Sequence, residues 1–363
     1  MHLAIEAVKL LHERRGIGRY MRNLLPQFAE RDPQLRFTMY VRRDGDIASL
    51  RAQLATLHAG LPGRTTVAHV RELPRTEADV VWYPWNFITV AAPHRPMVVT
   101  MHDVAPMLQL DHRWWKLLKR LRFRRRYQHT MQRAAAVLTV SEFSKREIVR
   151  YLDAEASRIW VTPLAADDLP VHGPDATRPL SDAGLNGPFF MTVGGQEGRK
   201  NLRTLYAAMD ALCANGVRIP LVQCGPGMSA GTRARVSKAP WLHHLGFVSD
   251  AELITLYRRA VALVLPSRYE GFGLPVLEAM HSGCPVICAD SSALPEVAGG
   301  AALLFPWDDA AALAAQMTRL AADPALRAEQ IAAGMAHASQ FSWSRVADQT
   351  LACFASARLA SVR

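Results

Sequence analysis

The sequence is poor in cysteine, with five among 363 residues, at positions 213, 224, 284, 288 and 353. The number is odd and no C-x-x-C pair occurs, which excludes a disulfide framework. Cys284 and Cys288 have no second pair and no histidine pair nearby, which excludes a zinc module. All five read as reduced, mostly buried thiols. No run of roughly 18 apolar residues exists, which excludes a spanning helix. The opening stretch MHLAIEAVKLLHERRG carries Glu6, Lys9 and Glu13 where a secretion signal needs an unbroken apolar core. A cytoplasmic chain is expected. Half of the residues are apolar and 21% are charged, which excludes overall disorder, collagen and coiled coil.

Charge balance is also lacking, but only in one half, where basic residues are in excess. Residues 1–173 hold 27 Lys and Arg against 17 Asp and Glu, a net of +10, and the remainder is nearly balanced at +1. This asymmetry points to an anionic partner for one domain: nucleic acid or an anionic membrane face.

What the sequence does have is alternation. Short apolar runs such as Val80–Tyr83, Met97–Met101, Phe189–Val193, Ala262–Leu265 and Pro285–Cys288 are separated by helical patterns such as Leu202–Asn215, Asp250–Arg259 and Ala310–Ala321. That is the mark of parallel sheets with crossover helices, and it occurs twice. Between the halves, 163–188 holds five prolines and three glycines, the composition of a domain boundary. The expected plan is an N-terminal domain over 1–170, a linker over 171–188, a second domain over 189–342 and a last segment over 343–363. Two doubly wound α/β domains facing each other across a cleft would place ligands at the carboxyl ends of their strands.

The most specific stretch is PSRYEGFGLPVLE, residues 266–278. A strand end, a loop with Glu270, Gly271, Phe272 and Gly273, and a helix starting near Leu274 and Pro275 follow in order. Proline suits a first helical turn, and the N–H groups exposed there can hold phosphate. Glu278 can accept two ribose hydroxyls, and Glu270 can reach a transferred sugar. In VGGQEGRKN, Gly195 lets a diphosphate approach, and Arg199 and Lys200 can pair with it. His102 and Asp103 end a strand, where a reactive side chain should sit. Gly16, Gly18 and Arg19 follow the first strand, but with Met21 next in the pattern they fall short of G-x-G-x-x-G. Ser141 reads as a helix cap.

Residues 113–126, RWWKLLKRLRFRRR, carry eight cations in fourteen positions with aromatics and leucines interleaved. Trp114, Trp115, Lys116, Lys119 and Arg120 then form a basic amphipathic surface suited to an anionic bilayer. No nucleic-acid module accompanies it, and no nucleic-acid partner is expected. Asp44–Gly45–Asp46 reads as a turn rather than a metal motif, and no metal is expected.

Taken together, the Glu270–Glu278 pair, the HSGCPVICADSSALPEVAGGAALLFPWDD that follows it, GIGRY, TMHD, VSEFSK and VGGQEGRKN resemble, in order and over nearly the full chain, the retaining glycosyltransferases of family 4. The resemblance implies the GT-B fold of two Rossmann-like domains, with the acceptor on the first, a nucleotide sugar on the second, and residues 343–363 forming a C-terminal helix that returns toward the N-terminal domain. It implies that Glu278 holds the ribose and that Glu270 lies beside the hexose as nucleophile or transition-state stabiliser. It further implies that His102 lines the donor sugar and that the Gly16 loop closes over donor phosphates and acceptor. Where the family often carries Arg after the first glycine, this chain has Gly195, which puts more weight on Arg199 and Lys200. By the same resemblance the favoured donor is GDP-mannose, with no further cofactor. The acceptor is a lipid-linked saccharide of surface polysaccharide or lipopolysaccharide growth, met peripherally at the inner face of the cytoplasmic membrane. The alternatives are a UDP- or dTDP-sugar donor, or a non-catalytic basic protein that binds anionic lipid or nucleic acid.

Overall fold

A computed structural model describes the chain except residues 14–15, 109–115, 170–183, 196–197, 227–233, 235–238 and 361–363, and the side chains at 116–117. The chain divides into two compact units, Met1–Leu164 with Ser342–Arg363, and Ala165–Phe341. The second unit opens at Ala165, ahead of the 171–188 segment named above as linker, of which 171–183 lie outside the described residues.

The first unit runs β1 (His2–Glu6), α1 (Val8–His12), α2 (Ile17–Arg31), β2 (Arg36–Val41), α3 (Gly45–Leu57), β3 (Thr65–His69), β4 (Val80–Tyr83), β5 (Met97–Thr100), α4 (Ala105–Leu108), α5 (Lys116–Arg133), β6 (Ala136–Thr139), α6 (Glu142–Leu152) and β7 (Ile159–Val161). The second runs β8 (Phe190–Val193), α7 (Leu202–Ala214), β9 (Leu221–Cys224), β10 (Leu242–Gly246), α8 (Asp250–Arg259), β11 (Ala262–Leu265), α9 (Leu274–His281), β12 (Val286–Ala289), α10 (Leu294–Ala298), β13 (Leu303–Phe305), α11 (Ala310–Ala322) and α12 (Pro324–Ala338). Helix α13 (Trp343–Ala360) belongs to the first unit.

Among the described residues the first sheet has the order β3-β2-β1-β4-β5-β6-β7 and the second β10-β9-β8-β11-β12-β13. Every ladder is parallel. The sequences explain this. VVWY, MVVT, AVLT, ALVL and VICA are buried at every position, as strands covered on both faces must be. Each order reverses once, between β1 and β4 and between β8 and β11, and ligands of such sheets bind beyond the strand ends at that point. Register makes the ends level. Ile5 pairs with Trp82, so Glu6 lies beside Tyr83. Leu263 pairs with Met191, so Leu265 ends beside Val193.

Helix α13 is anchored on the first unit by aromatic contact. Phe354 is fully buried, 5.6 Å from Trp82 and 6.1 Å from Phe28, and Trp343 lies 6.1 Å from Tyr20. Truncating a buried phenylalanine costs about 3–5 kcal/mol, so Phe354 is a principal clamp. Arg31 adds polar contacts, to Asp348 Oδ1 at 2.5 Å and the Ser344 carbonyl at 2.8 Å.

Candidate active site

In the second unit the loops after β8 and β11 meet. Residues Gly198–Lys200 form one 3-10 turn. Asn201, in the left-handed region at φ 52, then starts α7 and donates to the carbonyls of Pro266 at 3.0 Å and Trp307 at 2.6 Å. It thereby ties the loops after β8, β11 and β13 together. The Arg268 N–H completes the join by donating to the Arg199 carbonyl at 2.7 Å.

The result is a charged cluster on Glu270. Lys200 Nζ donates to its Oε1 at 2.7 Å, Ser267 Oγ donates to the same oxygen at 2.7 Å, and Arg199 donates to Oε2 at 3.0 Å. Arg199 also reaches the Tyr269 carbonyl at 3.2 Å. The Glu270 side chain is 10% exposed. Burial pushes its carboxyl up, but the Lys200 ammonium, the Arg199 guanidinium and the bonds from Lys200 and Ser267 outweigh it and hold it below the usual carboxylate value. Glu270 is therefore ionised, with two cations sharing one carboxylate.

Helix α9 begins beside this cluster. Gly273 precedes it at φ 99, and a Cβ there would come within 2.6 Å of Leu294 Cδ2. The backbone favours glycine there, and an added Cβ would have to displace the end of the Leu294 side chain. Pro275 sits in the first turn, where it removes no helical bond. Glu278 is on this helix, buried, and accepts from the Tyr257 hydroxyl at 3.0 Å. Phe272 turns its ring inward, edge-on to Phe341 at 6.4 Å, so it serves the loop by packing. Gly195 and Gly271 are buried, and Leu274 is half-buried. Lys200, Arg199 and Glu270 are thus in direct contact, whereas Glu278 has its own partner on α8.

In the first unit, His102 follows β5. Its Nε2 lies 3.0 Å from the Pro84 carbonyl, its backbone N–H donates to Asn86 Oδ1 at 2.8 Å, and Tyr20 packs against the ring at 5.2 Å. A carbonyl can only accept, so Nε2 carries the proton and Nδ1 is the acceptor. Burial lowers the imidazole pKa below 6.5 and outweighs the bond to Pro84, which raises it. The ring is neutral at pH 7. Asp103 Oδ1 accepts from the Ala105 N–H at 3.1 Å, and Ser141 caps α6 by accepting from Ser144 N–H at 3.0 Å.

Gly16 and Gly18 flank the start of α2, and the short helix α1 intervenes between them and β1. Gly16 has φ 62, and a Cβ on Gly18 would meet the Glu13 carbonyl oxygen at 1.8 Å. Arg19 is half-buried on α2. Asp46 engages His12 at 3.2 Å. Among the described residues no group of three His, Cys, Asp or Glu side chains is placed to hold a metal ion.

Helix α5 carries part of the basic stretch, and it runs on to Arg133, beyond the 113–126 segment read from sequence. Trp114 and Trp115 lie outside the described residues, as does the Lys116 side chain. Leu118 is 76% and Leu121 44% exposed, beside exposed Lys119, Arg120, Arg122, Arg124 and Arg125. No described helix is long and apolar enough to cross a membrane.

Ser267, Asn201 and Tyr257 escaped selection as site residues from sequence, and so did Ser292, whose Oγ accepts from Glu270 N–H at 2.9 Å. Asn201 stands in the quoted VGGQEGRKN, and its place next to two cations was the available signal. Nothing in the sequence ties Tyr257 to Glu278.

The model for Glycosyltransferase Family 4 matches residues 14–168, and that for Glycosyl transferases group 1 matches 177–337. O-antigen chain mannosyltransferase B of Escherichia coli is 34% identical over 289 residues, which cover 76% of this chain and 74% of that protein. The serotype-specific mannosyltransferase WbdA of Escherichia coli is 28% identical over 280 residues, 73% of this chain but only 32% of that longer protein. The solved structure of sucrose-phosphate synthase from Thermosynechococcus elongatus, 19% identical, superposes with a TM-score of 0.75 and covers 98% of each chain, which shows a shared GT-B fold. With two parallel sheets that share a six-strand order, both family models matched in sequence and a 34% identical relative, the chain belongs to glycosyltransferase family 4.

Proposed function

We propose that this glycosyltransferase moves mannose from GDP-mannose to a hydroxyl of a lipid-linked or polysaccharide acceptor during assembly of a bacterial surface polysaccharide. The observation that carries this is the Lys200–Glu270–Arg199 cluster at the reversal of the second sheet. The mannosyl donor is supported by relatives named for mannosyl transfer.

Each residue has a role that follows from its charge state. In the transfer, the bond from the anomeric carbon to the diphosphate oxygen breaks, a bond to the acceptor oxygen forms, and the acceptor hydroxyl passes its proton to an oxygen of the departing diphosphate. Negative charge grows on the departing diphosphate. Lys200 and Arg199 exchange their shared carboxylate for phosphate oxygens, and the N–H groups at the start of α9 add to them. Fixed positive charge that meets growing negative charge favours the transition state over the ground state. These cations meet the diphosphate charge without a metal. Glu270, ionised and released from part of its pairing, faces the hexose and stabilises positive charge at the anomeric carbon. Glu278 takes the ribose hydroxyls. His102, neutral, accepts from a hexose hydroxyl through Nδ1. Gly16, in the turn before α2, and Gly18 and Arg19, in its first helical turn, meet donor phosphates and acceptor.

The acceptor side is read from α5. Its exposed leucines and cations suit an anionic bilayer, where each cation contributes about 1 kcal/mol. Peripheral attachment at the cytoplasmic face then brings the enzyme to a lipid-borne saccharide.

A donor screen against a polyprenyl-diphosphate sugar tests the proposal. GDP-mannose should release GDP and give a mannosylated lipid. Turnover confined to UDP- or dTDP-sugars would overturn the donor assignment. No nucleotide binding and no turnover, with vesicle or nucleic-acid binding retained, would instead favour a non-catalytic basic protein.

A further inference from the structure

Glu6 is the last residue of β1, at the reversal of the first sheet, and it is 1% exposed. A buried carboxylate costs several kcal/mol unless it is well paired. Arg42, its ion-pair partner at 3.4 Å, has a side chain 50% exposed. Its other bonds come from neutral donors. Trp85 Nε1 donates to Oε2 at 2.5 Å, and Thr89 Oγ1 donates to Oε1 at 2.9 Å. An apolar residue would fill the same space at less cost, so the value of the carboxylate lies in what its bonds hold.

They hold the loop that follows β4. Trp85 and Thr89 lie on that loop, and between and beside them are the two residues that fix His102. Pro84 accepts from His102 Nε2–H at 3.0 Å, and Asn86 Oδ1 accepts from the His102 N–H at 2.8 Å. Asn86 Nδ2 is itself anchored, donating to the Asp103 carbonyl at 3.2 Å and to Tyr127 Oη at 2.9 Å. On its other side the loop is covered by α5, where Arg126 stacks on Phe87 at 4.0 Å and Thr130 Oγ1 accepts from the Ile88 N–H at 3.3 Å. The carbonyl of Pro84 decides which imidazole nitrogen carries the proton, and the next residue is the one Glu6 grips.

We infer that Glu6 is a positioning residue for transfer: by clamping Trp85 and Thr89 it sets the Pro84 carbonyl and Asn86, and through them keeps His102 in the Nε2–H tautomer with Nδ1 offered to substrate. This rests on the assignment of His102 to the donor hexose. Its mechanics do not, because the tautomer can be read directly. Glu6 is too deeply buried to touch substrate, and its effect passes through the loop.

The test compares Glu6→Ala, the double variant Trp85→Phe with Thr89→Val, and His102→Ala in the full chain. Trp85→Phe keeps a ring but loses the N–H, and Thr89→Val keeps the shape but loses the hydroxyl. The readouts are ring nitrogen chemical shifts of His102, turnover, and GDP affinity. In the wild type, Nε2 should resonate as protonated and Nδ1 as bare. In Glu6→Ala and in the double variant the two signals should move toward each other, and turnover should fall at least tenfold while GDP affinity stays within twofold. Wild-type shifts with wild-type turnover in these variants would overturn the inference, as would a wild-type ring protonated on Nδ1. Should Glu6→Ala fail to fold, the double variant decides alone. Full turnover by His102→Ala would refute the role given to His102, while the ring signals would still judge Glu6.

Discussion

In the second unit, the loops at the reversal of strand order bring Lys200 and Arg199 onto one carboxylate, which stays ionised. In the first unit, the same position in the same topology holds a buried carboxylate bonded by an indole and a hydroxyl, near a histidine kept neutral. In the proposed transfer, the end in the second unit trades an internal ion pair for a diphosphate. The other offers fixed neutral groups suited to hydroxyls. Topology therefore chooses where a ligand can bind, and the loop residues choose which chemistry it meets.

The sharpest way to break this comparison is to remove charge from the second unit alone. Glu270→Gln keeps size and loses ionisation. Its kcat should fall by about 10²–10³-fold, the usual consequence of deleting an electrostatic stabiliser, while circular dichroism shows an intact fold. Turnover close to wild type would reduce Glu270 to a resting partner for the two cations.

Next in size is the glycine contrast. Gly273→Ala faces both φ 99 and Leu294 Cδ2 at 2.6 Å, whereas Gly16→Ala faces φ 62 with nothing within 4 Å. The first should cost roughly 1–3 kcal/mol more than an unstrained alanine, and the second about 1 kcal/mol. Urea denaturation of both variants checks the order.

Acid separates the units more gently. The His102 pKa is lowered from 6.5, so its burial weakens the fold as pH falls from 6.5 toward that lower value, where the unfolded chain takes the proton first. The Glu270 pKa is lowered from 4.5, so the stability it contributes is complete above 4.5 and is lost as pH falls through its folded value. Stability against pH should flatten in the upper window for His102→Gln and in the lower one for Glu270→Gln. The smallest effect is expected outside both sites. Leu118→Glu with Leu121→Glu should weaken sedimentation with anionic vesicles several-fold and leave Tm unchanged, because both leucines are exposed.

Much of this was legible in the sequence. Fully apolar four-residue runs such as ALVL and VVWY declare buried parallel strands, and strand ends then locate Glu270 and His102. Lys200 and Arg199 were legible as cations beside glycines. Their attachment to Glu270, some 70 residues on, was not, because it depends on β8 and β11 lying side by side. Glu6 was read only as a charge that interrupts an apolar segment. Its meaning comes from Trp85 and Thr89, which a sheet register brings to it and no local pattern announces. Ser292, at φ 56, is likewise a consequence of tertiary packing.

The most direct measurement is calorimetric titration of GDP into the wild type and into Lys200→Ala. If the cationic turn holds the diphosphate, the wild type binds and the variant binds at least tenfold more weakly, a difference of about 1.4 kcal/mol. Equal affinity in the two proteins, or no binding to the wild type, would contradict the account.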